Sequence, residues 1–368
     1  MKVRDRINEY TQDPLIGRMW HAIRSAGPMR SISVDITHRC NLRCKGCYFF
    51  AEEMDQETEA DRETLDRFIE EQVRRGITFA TVIGGEPSLV PDRLRALAEK
   101  FRLMIVTNGL KKVPREGLED VALAVSVWGD AENDRGMRGY GRIDVFQRAL
   151  SNFRNDDRVI WYVTLPSDPL PQTAEVVDAC IDNGNMVSFN YYGDVSTLGG
   201  KHDHRNGFAG ARRFVAEMID RHPNGIAFNS YLNEVISGGV MKGQRWGYDV
   251  CGSVSVDHPG NRARISSGQS YNPHFNAYGP GLTSTRRCCV GDERDCATCF
   301  DVWAHVSWIA LGLERHLDSR EDFFEWLSTM YIFYGACRMV DRVQLRESLP
   351  LIHQRSSILA GEAALFRH

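Results

Sequence analysis

The chain has 368 residues, of which 42% are hydrophobic, and a formal net charge of −4. This composition is typical of a globular protein with a substantial core, and it argues against a nucleic-acid-binding surface as the main feature. The amino-terminal segment is strongly polar and no apolar stretch approaches the length of a bilayer, so we expect a soluble, cytoplasmic protein without a membrane partner. Ten cysteines without a secretory signal indicate metal or redox chemistry rather than disulfides.

The first predicted element is a helix over residues 14–25, which packs on the main domain. From about residue 30 the chain alternates strands and helices, as in an α/β fold with a parallel sheet and crossover helices. The strands are predicted at Ser31–Ile36, Phe79–Ile83, Leu103–Thr107, Leu123–Val127, Val159–Leu165 and Met186–Tyr192, and the helices at Arg62–Arg75, Arg93–Phe101, Ile143–Phe153 and Ala174–Asp182. Six such units predict an incomplete version of the barrel that has eight.

Directly after the first predicted strand, three cysteines stand at spacings of four and three residues: Cys40, Cys44 and Cys47. Thiolates are the ligands that suit iron and sulfide, and one loop can bring three of them to a single small cluster. Three ligands for a four-iron cluster leave one iron open, and an open coordination position distinguishes a reacting metal site from a closed structural one. A zinc loop or a set of buried cysteines is the alternative.

The CxxxCxxC spacing resembles the signature of the radical S-adenosylmethionine (SAM) superfamily, and this resemblance implies a partial (β/α)6 TIM-like barrel with its chemistry at the carboxyl ends of the strands. In that family the amine and carboxylate of SAM bind the open iron of a [4Fe-4S] cluster, and one electron from the cluster cleaves SAM to a 5′-deoxyadenosyl radical. The family usually has an aromatic residue just before the third cysteine, whereas this chain has Gly46. Tyr48 or Phe49 is therefore the candidate to cover the adenine.

Two short motifs follow the second and third predicted strands. A GGEP run comes directly after the second strand, where glycines let backbone groups approach a ligand. It resembles the family's GGEP motif, which binds the SAM amino group, and the resemblance carries this role to Gly84, Gly85, Glu86 and Pro87. A tight turn that ends the strand is the alternative. Thr107, Asn108 and Gly109 end the third strand and resemble the family's TNG motif, with a plain turn equally open.

Four more candidates come from the fourth and sixth strands and the segment after the fourth. Resemblance to related enzymes places Ser126 at the SAM ribose and Arg138 at the SAM carboxylate, which a planar guanidinium holds bidentately. A solvent-exposed loop arginine is the alternative for Arg138. Alternation along the sixth strand places Asn190 and Tyr192 on one side, as candidates for adenosine or substrate contact, with packing in the core as the alternative.

A second group of cysteines follows a change in composition at about residue 229, where the alternation of strands and helices stops. Cys251 precedes a predicted hairpin, and later cysteines supply the remaining thiolates of a closed site. The pattern resembles the SPASM, or shorter twitch, extension of radical SAM enzymes and implies one auxiliary [4Fe-4S] cluster. Neighbouring residues of an extended segment face opposite ways, so only one of Cys288 and Cys289 is expected to bind, and alternation does not say which. With Cys289 chosen, the predicted ligands are Cys251, Cys289, Cys296 and Cys299. A zinc ribbon would use the same thiolates.

Two further cysteines, Cys180 and Cys337, lie at helical positions and are most simply buried core thiols. A sharper hypothesis makes Cys337, or the spare member of the 288/289 pair, a hydrogen-atom donor to a substrate radical. The last third of the chain is predicted helical, at 302–313 and 322–333, and packs on the auxiliary domain or closes the open side of the barrel. The predicted domains are a lead-in helix (1–29), the partial barrel (30–229), the auxiliary domain (230–310) and terminal helices (311–368).

The sequence therefore predicts a radical SAM enzyme that takes hydrogen from an unactivated C–H bond, with oxidation, epimerisation or dehydration as the outcome and a flavodoxin or ferredoxin as reductant. Radical SAM enzymes that act on ribosomal peptides commonly begin with a peptide-binding domain, and 39 residues before Cys40 are too few for one. This favours a small polar metabolite such as a sugar, aminocyclitol or nucleoside. A maturase whose peptide is delivered by a separate partner, and an iron-sulfur carrier, are the alternatives.

Overall fold

The computed structural model describes residues 2–51, 53–138, 144–191, 208–238, 240–241, 244–245, 277–282, 285–286 and 302–365. Within these ranges, no helix has the length and apolar character that crossing a membrane requires. Several predicted site residues lie outside the described residues, and their roles stay predictions: Tyr192, Cys251, Cys288, Cys289, Cys296 and Cys299.

Six parallel strands form the centre of the fold and follow one another in chain order. They are β1 (Ser31–Asp35), β2 (Phe79–Ile83), β3 (Arg102–Thr107), β4 (Ala122–Trp128), β5 (Val159–Leu165) and β6 (Met186–Tyr191). Each strand pairs in parallel with the one before it, so every connection crosses back over the sheet. The prediction of a six-stranded parallel α/β sheet is confirmed, with each strand placed to within one residue at either end.

Helices precede the sheet and fill most of its crossovers. They are α1 (Val3–Tyr10), α2 (Pro14–Ala26), α3 (Tyr48–Ala51), α4 (Arg62–Arg74), α5 (Pro91–Ala98), α6 (Ala131–Arg138), α7 (Val145–Asn152) and α8 (Gln172–Asp182). Aspartates cap three of them: the side chains of Asp13, Asp61 and Asp144 accept backbone N–H groups of the first turn. The polar helix α1 had no counterpart in the prediction, because it is held by a distant contact, the hydroxyl of Tyr10 donating to the carbonyl of Leu317 at 3.0 Å.

One face of the sheet is covered by helices and the other is partly open. The half-buried strand residues are Ser33, Thr81, Ile83, Val106, Ser126, Trp128, Thr164 and Asn190. The strand register puts all of them on the same side, which we call the inner face. On the opposite side Trp161 of β5 packs on Phe146 of α7, with ring centroids 6.0 Å apart. Among the described strand residues, the inner face is therefore the more accessible side of the sheet.

Five later helices complete the described part of the fold: α9 (Ala209–Arg221), α10 (Ser230–Gly238), α11 (Val302–Leu311), α12 (Arg320–Ala336) and α13 (Arg342–Leu365). Trp303 of α11 lies between Phe79, at the first position of β2, and Phe333 of α12, with ring centroids 6.5 Å and 4.7 Å away. Arg342 donates to the carbonyl of Val159 at the start of β5. Helices α11 to α13 thus lie at the amino ends of the strands.

Short strands extend the sheet beyond β1. After the antiparallel pair β7 (Val240–Met241) and β8 (Gln244–Arg245), β9 (Ala277–Tyr278) pairs in parallel with β1, and β10 (Thr285–Arg286) pairs antiparallel with β9. Part of the predicted auxiliary range 230–310 therefore belongs to the central sheet. Two-residue strands show no alternation of side chains, which is why the sequence did not reveal them.

Candidate active site

The three motif cysteines lie on the loop between β1 and α3, at the carboxyl end of the sheet. Cys40, Cys44 and Cys47 are free thiols and half-buried. Burial, together with the charges of Glu86 and Cys47, raises the pKa of Cys40 to about 11. Burial likewise raises the pKa of Cys44 to about 12, with Arg138 opposing this and the other two thiols adding to it. The thiols are thus close enough to perturb one another, and metal coordination is what deprotonates such groups.

This donor set fits an iron-sulfur cluster. Within the described part of the chain, no three His, Cys, Asp or Glu side chains are close enough to hold a single metal ion. A four-iron cluster does not require such convergence, since each thiolate binds a different iron and the thiols need only surround the cluster. Cys40, Cys44 and Cys47 are the residues that would hold three of the irons.

Backbone N–H groups of the GGEP run hold the segment that leads into the cysteine loop. The N–H of Gly85 donates to the carbonyl of Thr37 at 3.0 Å, and the N–H of Glu86 donates to that of Arg39 at 2.8 Å. A Cβ on Gly85 would lie 2.0 Å from the Arg39 carbonyl oxygen, and Gly84 has a φ of +119°. Glycine is needed at these positions because the backbone of the cysteine loop approaches them closely. The sequence had led us to expect a ligand there instead.

The carboxylate of Glu86 joins the ends of β2 and β3. It is buried and accepts hydrogen bonds from the N–H of Ser88 at 2.9 Å, the hydroxyl of Thr107 at 2.6 Å and the N–H of Asn108 at 2.9 Å. The side chain of Asn108 then donates to the Oδ1 atom of Asn41, inside the cysteine loop, at 2.8 Å. The GGEP run, the TNG run and the cysteine loop therefore form one connected network. SAM contacts by Gly84, Gly85, Glu86, Pro87 and Asn108 stay predictions.

Arg138, the last residue of α6, contacts the same network. It is 2% exposed, so the alternative of a solvent-exposed loop arginine is wrong. Its Nε atom lies 2.7 Å from Oδ1 of Asp134, and it donates to the carbonyls of Ser126 at 2.6 Å and Asn108 at 3.1 Å. These contacts fix the end of α6 against β3 and β4. Its contact with a SAM carboxylate stays a prediction.

Ser126 and Asn190, the candidates for ribose, adenosine or substrate contact, both lie half-buried on the inner face. At the carboxyl end of this face, Trp128 is in register with Thr164, and Thr164 with Asn190. Sequence reasoning did not single out Trp128 or Thr164. The signal that would have found them is the alternation along β4 and β5, which places them on the same side as Ser126 and Asn190.

One of the two aromatic candidates for covering adenine lies in the core. Phe49 is fully buried and packs edge-on against Phe50, with ring centroids 5.6 Å apart. It is therefore a core residue, which leaves Tyr48, the first residue of α3, as the predicted adenine contact.

Cys337, the hypothesised hydrogen-atom donor, lies far from the cysteine loop. Cys337 is buried directly after α12, and burial raises its pKa well above the usual value. The backbone carbonyl of its neighbour Arg338 accepts a hydrogen bond from the guanidinium of Arg102, at the first position of β3. Cys337 therefore lies at the amino ends of the strands, at the opposite end from the cysteine loop, which agrees with the simpler prediction of a buried core thiol, and the donor role stays a prediction. Cys180 is buried in α8 as a core thiol.

Sequence reasoning also missed Glu59, a largely buried carboxylate between α3 and α4. It lies against Thr37, His38 and Arg39, the three residues that lead into Cys40. A single glutamate in a polar connection gives no signal in the sequence, so only the folded structure identifies it.

Comparisons with known proteins agree with this geometry. Residues 34–126 match the model of the Radical SAM superfamily. The chain is 32% identical over 134 residues to Fe-coproporphyrin III synthase from Methanosarcina barkeri, covering 33% of each chain. It is 30% identical over 166 residues to pre-heme d1 synthase from Dinoroseobacter shibae, covering 41% of this chain and 40% of that one. These matches span less than half the length of either relative.

Among solved structures, Streptococcus suis SuiB bound to its precursor peptide SuiA is similar over 78% of this chain and 68% of that chain, with a TM-score of 0.45 and 14% sequence identity.

Proposed function

We propose that the protein is a radical SAM enzyme that takes a hydrogen atom from an unactivated C–H bond of a small polar metabolite, and the match of residues 34–126 to the model of the Radical SAM superfamily supports this proposal. One observation carries the proposal: the CxxxCxxC loop, the GGEP run and the TNG run are joined by hydrogen bonds at the carboxyl end of a parallel sheet. When bound, the [4Fe-4S] cluster supplies the electron that cleaves SAM to a 5′-deoxyadenosyl radical.

The chain's own residues contribute positioning. Cys40, Cys44 and Cys47 hold the cluster, while Ser126 and Asn190 hold SAM or substrate from the inner face. Packing of Trp303 on Phe79 covers the amino end of that face, which limits the entry of water. Holding the target carbon beside the reacting group replaces a bimolecular encounter with a preset geometry, and this orientation is a contribution that the protein makes to cofactor chemistry.

The inner face supports a small polar substrate. Its half-buried residues include hydroxyl and amide side chains on five strands: Ser33, Thr81, Ser126, Thr164 and Asn190. Such groups both donate and accept hydrogen bonds and therefore suit a hydroxyl-bearing ligand such as a sugar, aminocyclitol or nucleoside. Oxidation, epimerisation and dehydration are all compatible with this site. A single auxiliary [4Fe-4S] cluster on Cys251, Cys289, Cys296 and Cys299, and an external flavodoxin or ferredoxin, belong to the same proposal.

The radical SAM proposal is tested with reconstituted protein under anaerobic conditions. Incubation with SAM and dithionite is expected to give 5′-deoxyadenosine, and replacing Cys40, Cys44 and Cys47 together by alanine is expected to abolish it. Cys337→Ala, at the other end of the sheet, is the matched control and should retain the activity. Two four-iron clusters predict about eight iron atoms per chain. Wild-type protein that binds iron but forms no 5′-deoxyadenosine would support the carrier alternative instead.

Deuterium transfer separates the two substrate classes. A deuterium-labelled cell extract is split into a small-molecule fraction and a peptide fraction, and each is incubated with enzyme, SAM and dithionite. Label that enters 5′-deoxyadenosine from the small-molecule fraction supports the proposal. Label that enters from the peptide fraction alone supports a maturase whose peptide comes from a separate partner.

A further inference from the structure

The carboxylate of Glu59 gathers the segment that leads into the cysteine loop. It accepts a hydrogen bond from the hydroxyl of Thr37 at 2.5 Å and lies 3.3 Å from Nδ1 of His38. The guanidinium groups of Arg39 and Arg93 lie 3.6 Å and 3.9 Å from its other oxygen. The Glu59 side chain is 17% exposed and the Arg93 side chain 13%, whereas the Arg39 side chain is half-exposed, so the contacts with Thr37 and Arg93 are the ones shielded from water.

These contacts set the backbone that precedes Cys40. Thr37 is fully buried, and its hydroxyl also accepts the N–H of Arg39 at 3.2 Å. The carbonyls of Thr37 and Arg39 accept hydrogen bonds from the GGEP run on the other side. Residues 37–39 are thus held between the GGEP run and Glu59. Removing the Glu59 carboxylate leaves the buried Thr37 hydroxyl without this acceptor. The backbone of residues 37–39 can then shift, and Cys40 is the next residue.

Arg93 connects Glu59 to the end of β1. Its Nε atom donates to the carbonyl of Ile36 at 3.0 Å, and its Nη1 atom donates to that of Ala60 at 2.5 Å. Burial lowers the pKa of Arg93, and the charge of Glu59 is the largest opposing influence. One carboxylate therefore serves two arginines beside the metal-binding loop, and its loss leaves positive charge uncompensated there.

The connection that carries Glu59 is itself held in place. The N–H of Ala60 donates to the carbonyl of Pro280 at 3.0 Å, in the segment that follows β9. Asp61 caps α4 by accepting the N–H of Thr64 at 2.8 Å. Glu59 is therefore fixed from both sides, as a group that positions another must be.

We propose that Glu59 is a positioning residue for the catalytic cluster: through Thr37 and Arg39 it sets the geometry of Cys40, and through its charge it neutralises Arg39 and Arg93 beside the cluster. The inference rests on the proposed radical SAM function. Glu59 touches neither SAM nor the reacting atoms in this role, and it acts through the backbone of the cysteine loop.

The test compares Glu59→Gln with Glu59→Asp in the full reconstituted chain. Glu63→Gln is the matched control, because Glu63 is 80% exposed, lies four residues away and pairs with Arg67. Glu59→Gln keeps the shape and removes the charge, so we expect 5′-deoxyadenosine formation to fall by about tenfold, as for other outer-shell groups of metal sites. Glu59→Asp is expected to recover part of the loss, and Glu63→Gln to match wild type.

Two readouts besides activity separate positioning from a general structural role. The midpoint potential of the catalytic cluster should become less negative in Glu59→Gln, because uncompensated arginine charge favours the reduced form. The electron paramagnetic resonance signal of the reduced cluster with SAM should change shape. A Glu59→Gln variant with wild-type potential, signal and rate would overturn the proposal.

Other outcomes are also decisive. If Glu59→Gln fails to fold, Thr37→Val, which removes the hydroxyl alone, must show the same altered signal with a smaller loss of rate, and a wild-type signal there overturns the inference. Wild-type protein that forms no 5′-deoxyadenosine defeats the proposed function, whereas an active wild type with an equally active Glu59→Gln variant defeats the positioning role alone.

Discussion

The two ends of the central sheet each bury an arginine beside an aspartate, yet they use it differently. At the amino end, Arg158 pairs with Asp156 at 2.6 Å and donates to the carbonyls of Val113, Pro114 and Leu118. Every contact there closes a turn or a strand end. At the carboxyl end, Arg138 pairs with Asp134 and lies near Cys44, whose pKa it lowers against the effect of burial.

This difference separates the end of the sheet that contributes stability from the end that carries the candidate active site. The amino end is covered by packed aromatic rings and by arginines bonded to backbone carbonyls. The carboxyl end has half-buried thiols, hydroxyls and amides on neighbouring loops and strands. We therefore expect changes at the amino end to affect unfolding alone and changes at the carboxyl end to affect cluster binding and SAM cleavage as well.

The largest expected effect on stability comes from Arg158→Met. Removing the buried partner leaves Asp156 with the half-exposed Arg115 alone, whose Nη1 atom lies 3.5 Å away, and lowers the free energy of unfolding by about 3 kcal/mol. Urea unfolding measures this. Arg212→Ala, at a partly exposed ion pair with Glu234, is the control and should change stability by less than about 1 kcal/mol. Folded Arg158→Met protein with a changed KM for SAM would break the comparison between the two ends.

Arg138→Met makes the equivalent change at the carboxyl end. It should destabilise the protein by about 3 kcal/mol for the same reason. In addition, loss of positive charge near Cys44 and of the contacts that fix α6 should lower 5′-deoxyadenosine formation at least about tenfold. Rate and unfolding are measured on the same reconstituted sample. A variant that loses stability while keeping its rate would show that Arg138, like Arg158, is structural.

Gly85→Ala tests the cysteine loop directly. The added Cβ would lie 2.0 Å from the carbonyl oxygen of Arg39, so the loop must move, at a cost of about 1–3 kcal/mol. We expect less iron per chain after reconstitution and slower SAM cleavage. Gly136→Ala is the control, since nothing lies within 4 Å of a Cβ at that helical position. Equal iron content in the two variants would contradict the supporting role of Gly85.

The smallest expected effect is a pH dependence away from the carboxyl end. Burial lowers the pKa of His353 in α13, whose Nε2 atom contacts the carbonyl of Phe228 at 2.9 Å. Because the unfolded state then binds the proton more readily, stability present above about pH 6.5 is lost as the pH falls through the lower folded-state pKa. His353→Gln should flatten this loss between pH 7 and pH 5, measured by urea unfolding. Iron content should not change.

The sequence was sufficient for the elements whose signal is local. The strands from Ser31 to Tyr191 alternate or carry continuous apolar runs, and period-2 and period-3.6 patterns depend on nearby residues alone. The spacing of Cys40, Cys44 and Cys47 is likewise local, and the family match to residues 34–126 agrees with it. Helix α1 and strands β9 and β10 escaped prediction, because distant partners hold them in place.

By itself, then, the sequence determined the parallel sheet, the order of its strands and the loop on which the thiols stand. Tertiary structure alone decided which buried groups meet. It brought Glu86 to Thr107 and Asn108, and Glu59 to Thr37, and it placed Cys337 at the far end of the strands. The reason is physical. Local patterns follow from the geometry of one strand or helix, whereas the partner of a buried polar group is fixed by how separate elements pack together.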